Sequence, residues 1–164
     1  MYWYDWVTLA IMVTVIVVQT IRGSKTSGGL MMFEAAGGVI AAAAATALAP
    51  GLADAIHASQ HTVLFVLFGA FLVLAYLLAH WLYAVIGLSF HSLDGILSLF
   101  FGFVLAWAVA HMFLRIMIGS AEGESAQVIA NSPVAREVFQ FRSWNSLLQL
   151  LFKTKASDVN PDLG

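Results

Sequence analysis

The sequence predicts an all-α integral membrane bundle: four transmembrane helices followed by a C-terminal amphipathic helix. Three observations point there. Long apolar runs occupy residues 7–21, 30–48, 62–86 and 95–118, and Glu34 and Arg115 are their only Asp, Glu, Lys or Arg residues. Of the 164 residues, 61% are hydrophobic and only 10% charged, a surface made for lipid. After residue 118 the pattern changes to a polar linker and then to apolar residues at helical spacing. A soluble protein with buried helices would need polar faces that these runs lack.

A hydrocarbon core about 30 Å thick takes roughly 20 mostly apolar residues to cross as a helix. The third and fourth runs meet that length outright. The first meets it when the interfacial Trp3 and Trp6 are included, and the second when Gly28 and Gly29 open the helix. The first run has neither a basic n-region nor a small-residue cleavage pattern, so it reads as a retained span. Tyr2, Trp3, Tyr4 and Trp6 suit the headgroup level, where rings with a polar edge sit half wet. Connections are expected at 22–29, 50–61 and 87–92. The chain divides into a four-span domain, 1–118, and a tail, 119–164. In the tail, Ser132 and Pro133 look like an N-cap and first helical position. Val134, Val138, Phe141, Trp144, Leu148 and Leu151 then follow at three- and four-residue steps, one face of a helix that lies on the bilayer or docks on the bundle.

With four spans, Arg22, Lys25, Glu34 and Asp94 share one membrane face, while Asp5, Asp54, His57, His61, Arg115 and the tail take the other. Arg22 and Lys25 at a span end favour a cytoplasmic first loop, which puts the N-terminus and tail outside the cytoplasm.

Two small-residue stripes stand out. Asp94, Ser98, Gly102, Ala106 and Ala110 recur every fourth residue in the fourth span. Gly37, Ala41, Ala45 and Ala49 offer a matching surface in the second. Such faces let helix backbones approach closely, within one chain or between two copies. Arg22, Glu34 and Asp94 cluster at one face, where an ion-pair network would fix the bundle or receive a partner. Asp94 also suits the first turn of its helix, and Arg115 the last.

Deeper polar residues are few: Thr14, Gln19, Thr46, Tyr76, His80 and His111. His80 and His111 lie at opposite ends of their helices, which disfavours a direct proton-transfer pair. Asp5, Thr8, Met12, Val15, Gln19 and Arg22 align along the first span, as a narrow polar path or as a helix contact. Asp54, His57 and His61 have zinc-compatible chemistry but no evident fourth ligand, so solvated loop residues are the favoured reading and no metal or cofactor is assigned. No Gly-rich phosphate loop, HExxH, GxSxG or paired carboxylates indicate catalysis. The net charge of −2 and the lack of basic runs with aromatics argue against nucleic acid. Without cysteine there are no disulfides or thiolate sites.

Over approximately residues 4–142 the chain resembles the colicin V production protein family, small multi-span proteins of the bacterial inner membrane. The resemblance rests on Tyr4-Asp5-Trp6 before the first span, Arg22-Gly23 at its end, Leu93-Asp94 with Gly102 in the fourth span, and Ser132 after a polar linker. The chain has Gly95 and Ser98 where the family commonly has Asp-Arg and a nearer glycine, and Leu105-Ala106 in place of a later Arg-Gly. Glu34 is the nearest acid to follow Arg22-Gly23. The resemblance implies a link to toxin production and the bacterial envelope, with no reaction, ligand or catalytic residue to carry over. The expectation is a non-enzymatic accessory or assembly protein with the lipid bilayer, a second copy or a secretion component as partner. A small transporter or channel is the alternative.

Overall fold

A computed structural model describes residues 2–121 and 123–140. Its elements are α1 (Trp3–Lys25), α2 (Gly28–Ile56), α3 (Gln60–Ile86), α4 (Asp94–Ser120), α5 (Glu124–Ala130) and α6 (Pro133–Gln140), with a 3₁₀ turn at His91–Leu93 before α4. The described residues contain no strand, and α1 to α4 are each long and apolar enough to cross a membrane. The fold is an all-α, multi-pass membrane architecture.

The first two connections are shorter than the sequence suggests. The expected loop at 50–61 is mostly helix, because α2 runs through Pro50 to Ile56 and turns only at the left-handed His57 (φ 53°). Pro50 costs a backbone hydrogen bond, yet it is exposed, and spanning helices tolerate it. Beyond α4, α5 occupies part of the expected linker. Ser132 caps α6 as its position predicts, accepting the Ala135 N–H at 3.2 Å. Val134 and Val138 of the amphipathic stripe are buried, while its members Phe141, Trp144, Leu148 and Leu151 lie outside the described residues.

The spans do not pack in chain order. α4 is central, lying along α1 on one side and α2 on the other, and α2 in turn lies along α3. α1 touches α2 only lightly. The two small-residue stripes therefore never mate with each other. A Cβ on Gly102 would sit 3.0 Å from Gln19 Cβ and 3.4 Å from the Ile16 carbonyl of α1. Ala106 and Ala110 join Tyr4 and Met12 in one core cluster. The α2 stripe packs elsewhere: Gly37 lies against Ala75 of α3, and Ala41, Ala45 and Ala49 sit among Val63, Leu64, Phe68 and Met112. Ser98, Ala45, Ala106 and Ala110 are fully buried inside a single chain.

Candidate functional site at the charged end of the bundle

Glu34 lies in the second turn of α2, and its side chain is 4% exposed. Taking a carboxylate out of water costs several kcal/mol unless its lone pairs are met. Arg22, near the C-terminal end of α1, meets both oxygens as a fork: Nη2 donates to Oε1 at 2.8 Å and Nη1 to Oε2 at 3.1 Å. Gln19, one turn back on the same face of α1, donates Nε2 to Oε2 at 2.7 Å. The guanidinium stands 5.6 Å from the Tyr76 ring centroid, close enough for a cation–π contact. Tyr76 packs its ring 4.4 Å from that of His80, one turn further along α3, and His80 Nε2 lies 3.4 Å from Glu34 Oε1. Glu34 thus ties together α1, α2 and α3 where no extended helix packing joins α1 to the other two.

Two polar atoms here lack a hydrogen-bond partner. Gln19 Oε1 and His80 Nε2 are buried and unsatisfied, the second because its approach to Glu34 is too poorly aligned to count. Beside them opens a cleft of about 140 Å³ lined by Gln19, Arg22, Glu34, Leu72, Ala75, Tyr76 and Leu105. At about 30 Å³ per molecule, that volume admits a few waters.

Asp94 does not join this network. Its Oδ1 accepts the Gly28 N–H at 2.8 Å and the Phe90 N–H at 3.0 Å, and Oδ2 accepts Ser89 Oγ at 3.2 Å. The reason is geometric: the first turn of α2 presents unpaired N–H groups to Asp94, whereas Glu34 has already drawn in Arg22. Ser27 completes the joint, accepting from Gly29 N–H at 3.0 Å and donating to the Leu88 carbonyl at 2.8 Å. The α1–α2 and α3–α4 connections are stitched together at this end. Arg22, Glu34 and Asp94 share a membrane face but form two separate clusters.

The polar seam of α1 is a helix contact. Asp5 and Thr8 are fully buried and Gln19 nearly so, but Met12 and Val15 between them pack into the core and interrupt any polar path. At the far end Asp5 Oδ2 accepts the Tyr2 N–H at 2.9 Å, while Oδ1 has no partner. His111 packs edge-on against Phe139 at 4.8 Å, far from His80. Among the described residues no group of three His, Cys, Asp or Glu side chains converges as metal ligands would. Asp54, His57 and His61 are divided between α2, its cap and α3.

Sequence reasoning missed that Gln19 and His80 gather on Glu34, with Tyr76 against Arg22 and His80. Their spacing held a signal. Gln19 precedes Arg22 by three residues and Tyr76 precedes His80 by four, so each pair shares a helix face. Compared with known proteins, the chain matches no family model, no curated protein and no solved structure.

Proposed function

We propose that this chain is a non-enzymatic accessory or assembly protein of the bacterial inner membrane, of the colicin V production kind, serving toxin production or envelope maintenance. One observation supports this above others: the intramembrane carboxylate is committed to holding helices. Glu34 is clamped by Arg22 and Gln19, and no polar route leads from it through Met12 and Val15 to Asp5. A transporter needs a titratable group that both faces can reach in turn. A second copy of the chain would bind mainly through other surfaces, since Ser98, Gly102, Ala106 and Ala110 face α1 and Ala45 and Ala49 are buried among α3 and α4, which leaves only the Gly37 end of the α2 stripe at an open groove. The face carrying Arg22 and Lys25 is assigned to the cytoplasm on its basic residues, with the N-terminus and tail opposite.

The second reading, a small proton- or ion-coupled transporter, draws on the unpartnered Gln19 Oε1 and His80 Nε2 beside the Glu34 cleft. Reconstitution of the full chain in liposomes with a pH- or ion-sensitive dye separates the two. The accessory reading expects no flux above that of empty vesicles from correctly folded protein. Flux that Glu34→Gln abolishes would overturn it in favour of transport.

A further inference from the structure

The register of α1 against α4 supplies a depth scale. Gly23 lies against Ser98, and Gly102 against Gln19 and Ile16, so in this antiparallel pair Trp6 is level with Arg115. Trp3 and Trp6 are 65% and 62% exposed, as an aromatic belt at the headgroups requires. Trp107 lies about 12 Å deeper than Arg115 at 1.5 Å of rise per residue. That is close to the middle of a hydrocarbon core about 30 Å thick.

α6 reaches this depth at Val138 and Phe139. Trp107 Nε1 donates to the Val138 carbonyl at 3.1 Å, and the Phe139 ring contacts His111. Val134, Ala135 and Val138 share a core cluster with Met12, Ala106 and Ala110. α5 and the turn before α6 stay at the belt, where Tyr4 Oη donates to the Val128 carbonyl at 3.4 Å and Tyr2, Glu124, Gln127, Val128 and Asn131 surround a polar hollow of about 440 Å³.

We infer that α6 re-enters the bilayer from the face of Trp3 and Trp6 and comes close to its centre by Val138 and Phe139, while α5 and the turn at Asn131 stay at that face. A helix resting on the membrane buries its apolar side only about 5–10 Å. Independent chemistry agrees with the deeper placement. An indole N–H in hydrocarbon needs an acceptor, and Trp107 finds one in the Val138 carbonyl. Arg136 turns its guanidinium back towards the mouth, donating Nη2 to Asn131 Oδ1 at 3.1 Å, as a cation entering lipid from one side would. The surface that receives α6 is the α1–α4 seam, and the medium it enters is lipid.

The test exploits the absence of native cysteine. Single cysteines replace Asn131, Phe139 and Ala108, the last beside Phe139 in the same groove, and each full-length variant is spin-labelled in lipid nanodiscs. The ratio of relaxation by oxygen to relaxation by a water-soluble nickel chelate reports depth. The Phe139→Cys label should read as deep as Ala108→Cys and at least several-fold more oxygen-favoured than Asn131→Cys. Gln140→Cys, at an exposed neighbouring position, gives the same reading if loss of the Phe139 ring prevents folding. A label at 139 or 140 that matches Asn131 in nickel accessibility overturns the inference.

Discussion

The α1–α4 and α2–α3 seams are both made of small residues, yet they are built differently. Along α1–α4 the glycines admit polar atoms and backbone at close range: Gly23 meets Ser98, Gly102 meets Gln19 and the Ile16 carbonyl, and the seam buries Asp5 and Thr8 completely. Along α2–α3 the meeting residues are alanines and larger apolar side chains, and the helices leave an apolar groove of about 230 Å³ between Gly37, Ala41, Ala75 and Ala79. Small-residue spacing alone therefore does not determine how tightly two helices close. What the neighbouring helix offers at each level does.

Three glycine substitutions test that contrast. The largest effect is expected at Gly23, where an added Cβ falls on Ser98 Oγ and Cβ and lies 2.7 Å from Met31 Cγ. Ser98 Cβ is fixed by its own backbone, so Gly23→Ala should destabilise the protein by about 3 kcal/mol, the upper end of overpacking costs, read from unfolding in detergent or bicelles. A change below about 1 kcal/mol would mean that the α1–α4 seam is as yielding as its counterpart. Gly37→Ala brings two methyl groups to 2.9 Å across α2–α3. The groove beside them leaves room to give, and the gain in helix propensity offsets the contact, so the same measurement should stay within about 1 kcal/mol of the parent. Gly69 in α3 has nothing within 4 Å of an added Cβ. Gly69→Ala should therefore raise stability by up to about 1 kcal/mol. A loss there would show that this face of α3 is covered.

The four spans and the face on which each charge lies were legible in the sequence, because apolar length and antiparallel alternation fix both. Helix order was not. The stripe headed by Asp94 fits any close neighbour, and nothing in its spacing distinguishes α1 from α2. Pro50 reads as a helix stop under rules that assume water at the break, whereas its exposed site let α2 continue. At the charged end, the pairing of Arg22 with Glu34 was among the expected options. The separation of Asp94 was not, because sharing a membrane face says nothing of which backbone N–H groups a carboxylate will find. Gln19 and His80 were visible as rare polar residues, but their convergence on Glu34 depends on the angle at which α1 and α3 meet α2.

The central place of α4 sets a schedule for the growing chain. α1 emerges first but makes little contact with α2, and its main partner is the last span to be made. Until α4 arrives, α1 has only the Glu34 clamp at one end to hold it to α2, and the faces of Ile16 and Met12 must wait among lipids or insertion machinery, whereas α2 and α3 can pair as soon as they are side by side. Synthesis halted before residue 94 would leave a competent hairpin and a first helix tethered to it at one end, and the last span to enter is the one that closes the bundle.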